Sequence, residues 1–145
     1  MESKIWYSIF NTKDYDHIEG LLYIQPYTMC SLEHTIKSTI DSFNSNHVWE
    51  DMWTMDIAKK RLQNGHDLFL GVDLEGSLAH VWFDKNYLYN AYVNPRRESG
   101  YGVKFIQACL NFIEHDNIKL YCDDWNIGAQ KLFEKVGFLK ESTYI

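Results

Sequence analysis

The chain has 145 residues, 46% of them hydrophobic and 16% aromatic, with a formal charge of −6. That length accommodates one domain, expected over 1–145, with a core of its own, and the composition is too apolar for a disordered segment. The acidic balance provides no field that draws phosphate backbones or anionic lipids, so neither nucleic acid nor a membrane is expected as a partner.

Ile5 to Phe10 is an apolar, aromatic run that suits a first strand, and Ile18, Leu21, Leu22 and Gln25 then keep helical spacing up to Pro26. These predict a β–α opening. Ser31 can cap a helix whose Leu32, Ile36, Ile40 and Phe43 share a face. A further helix is predicted from near His47, with Val48, Met52, Met55 and Leu62 in register and Asn64-Gly65 to end it. The basic run Lys59-Lys60-Arg61 falls on this helix and reads as a solvated face. From Asp67 the period shortens: Leu68 to Val72, a turn at Glu75-Gly76, Leu78 to Phe83, a turn at Asp84-Lys85-Asn86, and Tyr87 to Val93 form a three-stranded meander.

After Val93 comes Asn94-Pro95-Arg96-Arg97-Glu98-Ser99-Gly100-Tyr101-Gly102, followed by a helix with Val103, Ile106, Leu110 and Ile113 on one face. A helix N-terminus offers unpaired N–H groups and the positive end of a dipole, and glycines let backbone approach an anion closely, so this loop suits a pyrophosphate. Glycines in a strand-to-helix turn also serve tight geometry alone. Leu120-Tyr121-Cys122 reads as the next strand, and the segment from Asn126 to Phe138 as a helix with a core stripe of Ala129, Leu132, Phe133 and Val136, capped by Asn126 and ended by Gly137.

The spacing Arg97-x-x-Gly100-x-Gly102, with Val93-x-Pro95 ahead of it, resembles the acetyl-CoA loop of the GNAT N-acetyltransferase superfamily. The run Asn126…Ala129…Leu132-Phe133…Gly137-Phe138 is similar to that family's second signature. The resemblance implies an α/β (α+β) fold with a mixed central sheet, helices on both faces and the order β-α-α-β-β-β-α-β-α-β. It also implies acetyl-CoA as co-substrate, its pantetheine arm lying where the strand ending at Val93 parts from the strand at Leu120. Ala91, Tyr92 and Val93 would then line the thioester end. Arg97, Glu98, Ser99, Gly100, Tyr101, Gly102 and Val103 would hold the pyrophosphate, and Asn126 and Phe133 would face the arm. The activity so implied is direct acetyl transfer to a primary amine of a small molecule or peptide.

Two departures stand out. The family often places a tyrosine acid where this chain has Phe133, and the loop between Pro95 and Gly100 is one residue short. Either another group delivers the proton, or water does, or catalysis is impaired, and strand alternation offers two candidate groups: Tyr89, on the face of Tyr87, Ala91 and Val93, and His80, on the face of Trp82 and Asp84. Glu50, Asp51 and Asp56 would attract a cationic amine or lie on a solvated helix face.

Cys30, Cys109 and Cys122 are odd in number and far apart, which argues against a disulfide framework and for a reducing compartment. Cys122 in a predicted strand reads as a small core residue rather than a nucleophile. No His-x-His, His-x-x-x-His or Cys-x-x-Cys spacing occurs, so no metal is expected. Without a basic stretch leading into a long apolar run at the start, a cytoplasmic location is the simplest expectation. Competing readings are a CoA-binding sensor or scaffold of the same fold with little turnover, and an α/β binding module whose glycine loop only turns the chain. The acceptor and the oligomeric state, a homodimer included, stay open.

Overall fold

The computed structural model describes residues 4–24, 33–45, 53–94 and 99–144. Seven strands form one sheet in the order β2-β3-β4-β5-β6-β1-β7, built from β1 (Lys4–Phe10), β2 (Leu21–Ile24), β3 (Asp67–Asp73), β4 (Gly76–Asp84), β5 (Tyr87–Val93), β6 (Asn117–Asp123) and β7 (Leu139–Tyr144). Four helices accompany it among the described residues: α1 (Glu33–Ser45), α2 (Met55–Gln63), α3 (Tyr101–Leu110) and α4 (Ile127–Val136). All neighbouring strands run antiparallel except β5 and β6, which are parallel.

The meander strands are apolar almost throughout because both of their faces are covered, the pattern of a sheet sandwiched between helices. Alternation sorts their side chains cleanly. Phe69, Ala79, Val81, Phe83 and Leu88 pack with Phe105, Ile106 and Leu110 of α3 and Phe133 and Val136 of α4. On the opposite face Leu68, Leu70 and Trp82 meet Ile36 and Ile40 of α1 and Ala58 and Leu62 of α2. The sidedness differs in the other half of the sheet: Ile5, Tyr7, Ile9, Ile118 and Leu120 are buried toward α3 and α4, whereas Phe10, Lys119 and Tyr121 are exposed.

The opening differs from the sequence expectation. Residues 21–24 are not the end of a helix but the edge strand β2, paired antiparallel with β3 from Leu21↔Gly71 to Ile24↔Leu68. The four-residue apolar run fits both readings, and the free edge of β3 decides between them. As a strand, Leu21 reaches the α3–α4 core while Leu22 and Ile24 reach the α1–α2 core. Gly20 makes the approach possible: its φ is +77°, its carbonyl accepts from Val72 N at 2.9 Å, and a Cβ there would lie 2.0 Å from the Val72 carbonyl oxygen. Since backbone on both sides must move, Gly20→Ala is expected to destabilise the fold by about 2–4 kcal/mol, read as a lower urea midpoint at unchanged slope.

The remaining elements follow their local signals. Ile36, Ile40 and Phe43 are buried on α1 as their spacing requires; Ser31 and Leu32 lie outside the described residues. Thr54 caps α2 by accepting from Ile57 N, rather later than the start expected near His47, which with Val48 and Met52 falls outside the described residues. Gly65, at φ +87°, carries the chain out of α2. Asn126 caps α4 and accepts from Ala129 N at 3.2 Å.

Candidate active site

β5 and β6 share a single registered pair, Tyr87↔Lys119, supported by the bond from Lys119 N to Asn86 O at 2.9 Å. Beyond it they part, and the parting opens a cleft of about 610 Å³. Leu88, Tyr89, Asn90 and Ala91 line it from β5, Leu120 to Asp123 from β6, and Asn126, Ala129 and Phe133 from α4 and its cap. Trp53 and Arg61 close the α2 end. A parting of parallel strands leaves backbone N–H and C=O groups facing a crevice, where an extended ligand can take the place of the missing ladder.

A bulge on β5 sets which side chains face the cleft. His80 pairs with Tyr92 but Trp82 with Tyr89, so β5 carries one extra residue, and Asn90 absorbs it at φ +50°. The phase of the strand therefore flips there. Strand alternation predicts Tyr89 on one face with Ala91 and Val93; instead Ala91 and Val93 turn with Leu88 toward the α3–α4 core, while Tyr89 packs on the α1–α2 side. Tyr92, which was expected opposite Tyr89, shares that side: its ring meets Phe43 edge-on, and its hydroxyl lies 2.9 Å from Ser42 Oγ.

Not all the sequence-derived cofactor residues reach the cleft: Tyr92, packed against Phe43 and Ser42, is absent from its lining. Ala91, Asn126 and Phe133 line the cleft. Val93, Tyr101 and Val103 pack against the α3–α4 core, so contact with a phosphate there would come from backbone; Ser99 and Gly100 are exposed at the start of α3. Arg97 and Glu98 lie outside the described residues. The N–H groups of Tyr101, Gly102 and Val103 precede the first intrahelical donor, Lys104 N, which reaches Gly100 O at 3.3 Å. Gly100 provides a left-handed N-cap at φ +84° with open space around it, whereas Gly102 is needed for fit: a Cβ would stand 3.1 Å from Val93 Cγ2 and 3.2 Å from Leu132 Cδ1. Tyr101 directs its ring beneath β3, where its hydroxyl packs over Gly71 and burial raises its pKa to about 12.

His80 does not serve as proposed from the sequence. It is 3% exposed and absent from the cleft lining, and it faces a small apolar cavity with Phe43, Leu70 and Trp82. Its Nε2 lies 2.7 Å from Asn90 Oδ1, while Nδ1 is buried without a partner among the described residues. Burial pushes its pKa down to about 4, so the ring is neutral at pH 7 and donates from Nε2 to Asn90. A side chain sealed behind the sheet cannot take a proton from a ligand in the cleft.

Tyr89 does line the cleft, and burial raises its pKa to about 12 against the opposing influence of the Arg61 guanidinium. Its hydroxyl lies 2.6 Å from Nδ1 of His66. The Arg61 guanidinium carbon stands 5.5 Å from the Tyr89 ring centre and 5.9 Å from that of Trp53. At the β6 side Lys4 pairs with the buried Asp123 at 3.3 Å. Cys122 lines the cleft as well, but burial raises its thiol to about 11, which keeps it protonated and a poor nucleophile. Glu50 and Asp51 are outside the described residues, and Asp56 is exposed in the first turn of α2 away from the cleft lining. Sequence reasoning missed Trp53, His66 and Lys4, since nothing in their local spacing marks them, and it read Arg61 as part of a solvated face although Arg61 also lines the cleft.

Among the described residues no helix is long and apolar enough to cross a membrane. No family model and no curated protein matches the sequence. Solved structures do resemble the fold. A GNAT-family acetyltransferase from Colwellia psychrerythraea superposes with a TM-score of 0.64 at 16% identity, covering 99% of this chain and 54% of the other. A GCN5-related N-acetyltransferase from Sphaerobacter thermophilus gives 0.62 at 11% identity, covering 99% and 50%. An aminoglycoside acetyltransferase from an uncultured soil metagenomic sample gives 0.61 at 13% identity, covering 81% and 86%. The chain thus spans about half the length of the first two. Together with the strand order and the parting of β5 from β6, these likenesses establish that the chain has the fold of the GNAT N-acetyltransferase superfamily.

Proposed function

We propose that this chain is an acetyl-CoA-dependent N-acetyltransferase acting by direct transfer on a primary amine of a small molecule or peptide. The observation that carries the reading is the cleft between β5 and β6, with α3 beginning where β5 ends. A pantetheine arm resembles a peptide strand in its amides, so the unpaired edge of β5 beyond Leu88 suits it. The first N–H groups of α3 suit the pyrophosphate.

Attack by a neutral amine on the thioester carbonyl forms the C–N bond, and collapse of the adduct breaks the C–S bond. Backbone N–H groups near Val93 would polarise the carbonyl, as the family resemblance implies. Phe133 offers no hydroxyl to the departing thiolate, which in this reading takes its proton from solvent. The aromatic walls of Trp53 and Tyr89 and the Arg61 charge border the space open to an acceptor.

Phe133 also favours a second reading, a CoA-binding sensor with little or no turnover. Thermal denaturation with and without acetyl-CoA, followed by thiol release over a panel of amines that includes an aminoglycoside, a polyamine and a lysine peptide, separates the two. Stabilisation with turnover is expected. Stabilisation without thiol release would favour the sensor, and no stabilisation at millimolar acetyl-CoA would remove both.

A further inference from the structure

Tyr89 is joined to two groups outside the cleft lining. His66 follows α2 directly: its N–H donates to Arg61 O at 3.0 Å, and its side chain is only 12% exposed. Nδ1 faces the Tyr89 hydroxyl at 2.6 Å, and Nε2 faces Asp84 Oδ1 at 3.8 Å, within ion-pair range though beyond a direct hydrogen bond. The three residues come from the turn between α2 and β3, the end of β4 and the middle of β5, and they lead from the cleft to Asp84, which is half exposed.

Building on the acetyl-transfer reading, we propose that Asp84, His66 and Tyr89 form a proton relay that deprotonates the acceptor amine during attack. The tautomer follows from the chemistry. A phenol held neutral donates, so Nδ1 of His66 accepts and Nε2 carries its hydrogen toward Asp84. As the amine nitrogen bonds to the acyl carbon, one N–H proton passes to the Tyr89 oxygen while the phenolic proton passes to His66 Nδ1. The resulting imidazolium lies against the Asp84 carboxylate and returns its proton to solvent. The thiolate released by C–S cleavage takes one proton from solvent, so amine and thioester give amide and thiol in balance. Tyr89 is the catalytic residue of the three; His66 and Asp84 act through it.

Charges around His66 suit this role. Asp84 approaches from β4 and Tyr89 from β5, the Arg61 guanidinium stands 5.5 Å from the Tyr89 ring centre and near enough to its hydroxyl to favour the phenolate, and Asp67, next in the chain, is engaged by the hydroxyl of Tyr23 on β2. The relay does not replace the acid that a tyrosine at position 133 would supply: the Tyr89 phenol takes a proton from the amine, and the thiolate takes its own from solvent.

The test uses purified protein, acetyl-CoA and whichever panel amine the wild type turns over fastest. Tyr89→Phe and His66→Gln should each lower kcat by roughly a hundredfold, with acetyl-CoA still raising the melting temperature as in the wild type. The double variant should be no worse than either single one, because both remove the same path. The wild-type kcat should rise with pH along a limb that both single variants lose, and Asp84→Asn should move that limb. Equal turnover and an unchanged pH profile in His66→Gln would overturn the relay while leaving acetyl transfer intact. A wild type that binds acetyl-CoA but releases no thiol with any amine would overturn acetyl transfer, and the relay with it.

Discussion

Lowering the pH from about 7.5 to about 4 is expected to remove about 3 kcal/mol of folding stability through His80 alone. Burial holds this imidazole at about 4 in the folded chain, against 6.5 when unfolded. Between those values the unfolded chain binds a proton that the folded chain refuses. Stability from this source is therefore complete above pH 6.5, falls as the pH drops through the window, and levels off below about 4. The bond to Asn90 works in the other direction but is the smaller influence. His80→Gln keeps an N–H for Asn90 Oδ1 and removes the titration, so urea unfolding of both proteins across this range should show a shallower acid loss in the variant. Parallel curves would show that His80 takes up its proton without penalty.

Gly102→Glu should abolish stabilisation by acetyl-CoA, a loss of about 2.7 kcal/mol at a ligand excess of a hundredfold over Kd. A carboxylate in the first turn of α3 competes for the same N–H groups and repels a pyrophosphate, and its Cβ presses on Val93 and Leu132. Two controls separate these effects. Gly102→Ala makes the same Cβ contacts without the charge; the neighbouring side chains must give by a few tenths of an ångström, and the response to acetyl-CoA should survive. Gly100→Ala meets no atom within 4 Å but strains a left-handed φ, so it should cost about 1–2 kcal/mol of stability and keep the response as well. A full acetyl-CoA shift in Gly102→Glu would remove the start of α3 from the binding site.

The legible parts of the fold were those where local and tertiary demands agree. The meander announced itself because its two short turns fix register and both faces are buried, and α3 and α4 did so through cap, stripe and closing signals. The opening was misread because Leu21 to Ile24 satisfies a helical face and a doubly buried strand equally, and the vacant edge of β3 is a fact of three dimensions. The cleft was expected from the family resemblance, and its parting strands are present. Its working side chains were harder to read. The bulge at Asn90 reverses the alternation that put Tyr89 on one face with Ala91 and Val93 and opposite Tyr92, and an asparagine within an apolar strand was its sole local hint. His66 followed a helix-ending Asn64-Gly65 and looked like loop. Only by carrying the two meander turns through, so that Asp67 faces Phe83 and Asp84 faces Tyr87, does the strand count bring residues 66, 84 and 89 to one end of the sheet.

Position 90 also has a narrow alphabet. Its left-handed backbone admits glycine, asparagine or aspartate with little strain, and the buried Nε2 of His80 requires an acceptor there, which excludes glycine. Aspartate would accept, but it would bring a formal charge beside a neutral imidazole behind the sheet. In a saturation library screened for folding, Asn90 should therefore tolerate fewer replacements than any aromatic residue lining the cleft, unless position 80 is allowed to vary with it.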